Sequence, residues 1–583
     1  MPSATLPASP STLVQLTPSQ AKRLYGVIHF YCALKDALPR LSNPHTSDDD
    51  SIVTTPDNDC ALYKCFVNKI AQICDTKHGG DTVTSAMIVQ PGQVEYWIAS
   101  NSRNKTQMAG VKKFLSEDIL GALKSFGPRD FDDEAKIREI SSMLLKKIIA
   151  YCRWRLYKYV RGFVANVGPC IDSCAKDSVL EAATMSTSLR ELLPIAERAV
   201  DSWPHDIVSF VQETQHLLQA LKQAHTSSFA SFLRRKAGDD ERRDSTASSW
   251  SETRHAIGRL HSYTIAVRVF IAARRKWPDL FEFPEVIPYP SPPKSANPFQ
   301  IKERMCTGKD LLNRLTTDPE VHAAYQTLLP HLQAIDFDTR LKDSIKDPRC
   351  VTTVHAEVTL LSNLRKESLC PFSGHEDARL SFFMEDKFGR YIGCSKPTCL
   401  LCDYYFDSFP IKVERRPGHG NFYHKWRVAD IQGPVVNPAV ERLVNDRKNV
   451  IEEMIKKLRA EVRMVLVERK GLRGSRHDSR HTPSDPFESV VTVAGSVRGS
   501  GLLENATANG QCQVGHGGSV NGRSRVRELI LEEVEEVEDE NGGGEGEDME
   551  GESVEELGRL MGRFSISGGS QGDDDDDDGG AKI

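Results

Sequence analysis

Apolar residues recur at helical spacing through most of the first 470 positions and switch to an alternating period only in short stretches. Leu24, Val27, Ile28, Tyr31 and Leu34 mark a first helix over 20–38, and a second follows over 60–74. Positions 105–126, 133–167, 178–200, 207–224 and 253–276 carry i, i+3, i+4 apolar spacing, as do 318–345 and 440–470. Two strands are expected over 82–90 and 94–101, with Pro91-Gly92-Gln93 as the turn. Shorter strands are expected at 390–394 and 411–414. Residues 235–250 read as a polar loop. The Pro-rich stretch 283–298 cannot be a helix and reads as a connector.

The whole chain carries a formal charge of −6, unevenly spread. Residues 531–583 hold 20 acidic and 3 basic residues, or −17, which leaves +11 on residues 1–530. A mildly basic body suits phosphate-bearing partners. From Gly471 onward Gly, Ser, Asp and Glu dominate, with an unbroken acidic run at Asp573–Asp578. Such a segment buries too little apolar surface to fold. The expected organisation is therefore a disordered stretch 1–15, a mostly helical region 16–345 containing the hairpin at 82–101, a domain over 346–470, and a disordered acidic tail over 471–583. A flexibly tethered acidic tail is expected to reach back to the basic body.

No run approaches the ~18 apolar residues of a membrane span, so no membrane association is expected. The opening residues lack a basic stretch followed by an apolar core, so no secretory signal is expected. The 14 cysteines follow no framework spacing, which suits reduced thiols in the cytoplasm or nucleus.

The chemistry concentrates in 351–402. Val354-His355-Ala356-Glu357 opens the stretch, and Cys399-Leu400-Leu401-Cys402 closes it. One imidazole and two thiolates are three zinc ligands that leave a fourth tetrahedral position open, as catalytic zinc sites do. Glu357 is not needed as a ligand and is placed to carry protons. His355 and Glu357 can both reach one point only if His355 lies at or just before the first turn of its helix. Cys399 and Cys402, spaced i, i+3, can face the same point from the start of a second helix.

In that order, His-x-Glu followed by Cys-x-x-Cys resembles the cytidine-deaminase-like zinc deaminases, and in particular the fungal members of the OTT-type predicted deaminase family. The carrying text is Val354-His355-Ala356-Glu357, then Tyr391-Ile392-Gly393-Cys394-Ser395-Lys396 with Cys399-Leu400-Leu401-Cys402, then Gly418-His419-Gly420-Asn421-Phe422-Tyr423 and Trp426. The resemblance covers about 350–430. It departs from the superfamily in placing Thr398, not Pro, directly before the first ligand cysteine.

The resemblance implies an α/β fold, a deaminase-type mixed sheet sandwiched by helices, with the helical part large and N-terminal or inserted. It implies Zn2+ on His355, Cys399 and Cys402, with Glu357 shuttling protons during hydrolysis of the exocyclic amine of a cytosine- or adenine-like base. Asn101, at the exit of the hairpin, matches a position that contacts substrate in such folds, and His419 is a candidate pocket residue. The substrate would be a nucleotide or a single-stranded nucleic acid. Tyr151–Arg161 mixes aromatics and bases and could face nucleic acid, although such a helix more often buries its aromatics and solvates its bases. The alternative function is a non-catalytic scaffold whose zinc is structural, with Cys394 or His419 as a fourth ligand.

Overall fold

The computed structural model describes residues 13–37, 58–224, 227–242, 248–299, 307–316, 318–346, 350–369, 381–418, 420–434 and 437–466. The expected tail over 471–583 and His419 lie outside the described residues. The fold is mixed α/β and mostly helical, built on one five-stranded mixed sheet.

The strands are β1 (Thr84–Val89), β2 (Glu95–Ser100), β3 (Glu285–Tyr289), β4 (Tyr391–Cys394) and β5 (Glu414–Arg415). Their spatial order is β3-β2-β1-β4-β5. The β1–β2 hairpin is antiparallel, with Thr84 opposite Ser100 and Val89 opposite Glu95. β4 runs antiparallel to β1, with Ser85 opposite Cys394, and β5 runs parallel to β4. Two stretches almost 300 residues apart in sequence therefore share one sheet.

β3 corrects the reading of 283–298 as a connector. Glu285–Tyr289 pairs in parallel with β2, with Pro288 opposite Ile98. Proline lacks a donor, so within a sheet it is tolerated on an edge strand, and β3 is an edge. Tyr289 packs on Trp97 with ring centroids 5.0 Å apart. The polar loop expected over 235–250 is also corrected, because Ser227–Arg242 and Ser248–Lys276 are helices. Phe229, Phe232, Leu233 and Ala237 form the buried stripe of the first. Its charges are paired outward, Lys236 with Asp177 at 2.8 Å and Arg235 with Glu181 at 2.7 Å. The helix expected over 133–167 breaks at Cys152 into Glu134–Tyr151 and Arg153–Ala175. Residues 13–14, expected to be loose, pair with 431–432.

Helices cover both faces of the sheet, and strand alternation sorts the side chains between them. Met87, Val89, Trp97, Ala99 and Ile392 join the core of α1 (Pro18–Ala37), α5 (Ala356–Leu369), α6 (Leu400–Ser408) and α7 (Pro438–Leu466). The alternate positions meet α2 (Asp59–Cys74) on the other face, with α3 (Arg153–Ala175) and α4 (Ser248–Lys276) beyond it. Tyr96 lies edge-on to Phe66 of α2, and Tyr391 donates to Asn68 Oδ1 at 3.0 Å. α2 comes so close to β4 that a Cβ at position 393 would sit 2.8–2.9 Å from Asn68 and Val67 atoms, which is why Gly393 stands there. Among the described residues no helix is long and apolar enough to cross a membrane, and the cysteines form no disulfides.

Candidate metal and catalytic site

The three ligand-type residues of the sequence come together. His355 immediately precedes α5, whose first intrahelical bond runs from Thr359 N–H to His355 O at 2.9 Å. Cys399 is the N-cap of α6, and its Sγ accepts from Cys402 N–H at 3.4 Å. Two helix N-termini thus converge, bringing partial positive charge to the thiolates. The donor atoms of His355, Cys399 and Cys402 lie within 4.8 Å of one another.

The spacing fits zinc. With Zn–S of ~2.3 Å and Zn–N of ~2.0 Å at tetrahedral angles, a nitrogen and a sulfur ligand should stand about 3.5 Å apart. His355 Nδ1 is 3.5 Å from Cys399 Sγ and 3.4 Å from Cys402 Sγ. The electrostatics agree. Burial opposes the Cys399 thiolate, but the Cys402 and His355 hydrogen bonds and the His355 charge outweigh it and hold the thiol well below its usual range. Burial and the neighbouring Cys399 push the Cys402 thiol up. A divalent cation at the centre is what would hold both as thiolates.

Glu357 lies in the first turn of α5 and is only 4% exposed. Burial raises its carboxyl above the usual range, against the pull of His355. Cys394 lies close enough to favour the Glu357 carboxylate, and the Cys394 thiol is in turn pushed far up by burial and by Glu357. Cys394 therefore sits beside the carboxylate and outside the three-residue donor group.

Asn101 sits at the hairpin exit, and its side chain is engaged within the fold. Its Oδ1 accepts from Ala356 N–H at 2.8 Å, and its Nδ2 donates to Gly80 O at 2.9 Å. Asn101 thereby satisfies an orphan donor at the start of α5 and fixes where His355 points.

The loop carrying the cysteines is pinned from the far side. Thr398 N–H donates to Pro417 O at 3.4 Å, and its Oγ1 donates to Arg416 O at 2.7 Å. Proline at 398 could make neither bond, so Thr398 supplies an anchor of its own. Gly418 is required beside it, since a Cβ there would sit 2.8 Å from Thr398 O. The paired segments 353 and 425–427 bring in Trp426. Trp426 is fully buried, and its indole N–H makes no hydrogen bond of ordinary geometry but lies close enough to Cys402 to favour the thiolate. The Tyr423 ring lies 6.2 Å from that of His355.

Sequence spacing missed one buried arrangement behind the site. Asp75, fully buried, pairs with Arg155 of α3 and accepts from Thr82 Oγ1 at 2.6 Å and Ser395 Oγ at 2.9 Å. Burial alone would raise the Asp75 carboxyl, but Arg155 and Lys396 outweigh it and hold it low. The aromatic-basic segment 151–161 is thus split in use. Tyr151 stacks on Phe114 and Tyr157 on Trp203, while Arg155 is buried and Trp154 is 44% exposed.

Residues 354–430 match a deaminase family model. Its description is OTT_1508-like deaminase, and the matched segment runs from the residue before His355 to just beyond Trp426. All three sulfur and nitrogen donors and Glu357 fall inside the matched segment. No curated protein and no solved structure matches the chain.

Proposed function

We propose that the chain is a zinc-dependent deaminase that hydrolyses the exocyclic amine of a cytosine- or adenine-like base. The observation that supports this most is the donor triangle of His355 Nδ1, Cys399 Sγ and Cys402 Sγ, zinc-sized and flanked by a buried carboxylic acid, inside the deaminase segment. The strand order, with a hairpin beside the strand that leads into the cysteine helix, is compatible with a deaminase-type sandwich.

Zinc, when bound, supplies Lewis acidity at neutral pH. The protein's own residues do the rest. His355, Cys399 and Cys402 hold the metal and leave one position open among the described residues. Glu357 takes a proton from the attacking water and delivers it to the ring nitrogen and then to the leaving amine. A carboxyl raised by burial suits that role, because it gives and takes a proton closer to neutral pH. We place the substrate among nucleotides and single-stranded nucleic acids, and the protein in the cytoplasm or nucleus.

The cobalt-substituted protein tests the donor set. Two thiolates, one imidazole and an exchangeable position in its electronic spectrum support the reading. A third thiolate or a second imidazole would mark a structural site. Cys399→Ser/Cys402→Ser protein should carry no zinc by metal analysis, and full zinc there would overturn the assignment.

A further inference from the structure

A second group of side chains meets beside the cysteine loop of the same site and takes no part in holding metal or moving the proton. Arg416 flanks Thr398, the residue before Cys399. Its Nη1 donates to Cys394 O at 3.1 Å, and it forms no ion pair among the described residues. Cys394 is also the residue whose thiol meets Glu357. The half-buried guanidinium and the proton carrier therefore flank one strand residue.

Lys396 lies three residues before Cys399, is 8% exposed, and donates to Gly79 O at 2.9 Å. Behind it stand Arg155 of α3 and Arg259 of α4, at 5.8 and 5.9 Å from the Tyr159 ring centroid. Arg103, 6% exposed, donates to Thr84 Oγ1 at 3.0 Å and Thr76 Oγ1 at 2.8 Å. Asp75 is the carboxylate these cations surround, and Arg155, Thr82 and Ser395 all engage it. Arg155, Arg259 and Lys396 each have partners within the protein. What marks the place is the convergence of positive charge beside the ligand loop, with Arg416 its half-buried member. Burial and mutual repulsion bring Lys396 down to about 7 and Arg259 down to about 9. An incoming anion would relieve both.

We propose that this cluster binds a phosphate of the substrate, so that the site takes a phosphorylated nucleotide unit and not a free base or nucleoside. The phosphate is either a 5′-monophosphate or a backbone phosphate of a single strand. Partly desolvated guanidinium and ammonium groups give the charge-assisted bonds such a group needs. This rests on the deaminase reading of the site for the base, but its own test is binding and not turnover.

The experiment uses full-length, zinc-loaded Glu357→Gln protein, which holds substrate without consuming it. Calorimetry compares cytidine with cytidine 5′-monophosphate, adenosine with adenosine 5′-monophosphate, and a six-nucleotide single strand. In at least one pair the monophosphate should bind at least ~10-fold tighter than its nucleoside, about 1.4 kcal/mol. Inorganic pyrophosphate should compete with it. Arg416→Gln should remove most of that preference, and Arg416→Lys should retain part of it. A strand that binds tighter than either monophosphate, with a steep salt dependence, assigns the phosphate to a nucleic-acid backbone. The reverse order assigns it to a free nucleotide. Equal binding of nucleoside and monophosphate in both pairs, or no competition by pyrophosphate, overturns the proposal without any Arg416 variant needing to fold. Phosphate-dependent binding with no ammonia release from parent protein would instead reject the deaminase reading and leave the phosphate site standing.

Discussion

Replacing Asp75 with Asn removes one charge from a fully buried position and leaves the shape almost unchanged. The pair it breaks joins the turn after α2 to α3, with the Arg155 side chain 4% and the Asp75 side chain 0% exposed. Removing one partner of such a pair leaves a desolvated charge uncompensated, which costs ~3–5 kcal/mol. At ~2–4 °C per kcal/mol the melting temperature should fall by roughly 6–20 °C. Because Asp75 is held low, its contribution is fully present above the unfolded carboxyl value of ~3.9 and is lost only as pH falls through the still lower folded value. The gap between parent and Asp75→Asn should therefore not shrink from pH 8 to 5, widening where Asp75 helps Lys396 keep its proton below about 7, and should close only below ~4. Chemical denaturation of parent, Asp75→Asn, Arg155→Met and the double variant gives the coupling. The double variant should be clearly less destabilised than the sum of the singles, because Arg155 is no longer left beside a neutral residue. A loss under ~1 kcal/mol in Asp75→Asn at pH 7, or a gap that shrinks between pH 8 and 5, would refute the reasoning.

Two further substitutions probe how the site is held. Asn101→Ala should cost ~1–3 kcal/mol by orphaning Ala356 N–H, and should weaken zinc binding by freeing the start of α5, both read by denaturation and chelator competition. Unchanged stability and zinc affinity with a raised KM would make Asn101 a substrate contact and not a helix cap. Gly418→Ala must push the 416–418 segment off Thr398 O, at ~1–3 kcal/mol, and chelator competition should show weaker zinc binding. Parent-like affinity would show that the pinning of Thr398 does not position Cys399.

The metal triangle was legible because its chemistry is local in sequence. His355, Glu357, Cys399 and Cys402 are type-specific residues at the starts of two helices, and helix starts follow from apolar spacing. The hairpin at 84–100 was legible for the same reason, since its alternation and turn are contiguous. What escaped depended on partners far along the chain. Glu285–Tyr289 carries two prolines nearby and looks like a connector until β2 offers it an edge. Phe229, Phe232 and Leu233 were hidden beside a run of bases, of which Arg235 and Lys236 pair with Glu181 and Asp177 more than fifty residues earlier. Arg155 read as a solvated base because nothing near it in sequence announces Asp75, 80 residues earlier. The same distance hid the cation cluster, which draws on five separate segments.

The most direct test of the central claim is ammonia release by zinc-loaded parent and Glu357→Gln protein at equal metal content, over a panel of nucleosides, nucleotides and single strands. The account predicts release by the parent on at least one member, a rate at least ~10²-fold lower in Glu357→Gln, and the same zinc stoichiometry in both. Equal rates in the two proteins, or loss of zinc from Glu357→Gln, would contradict it.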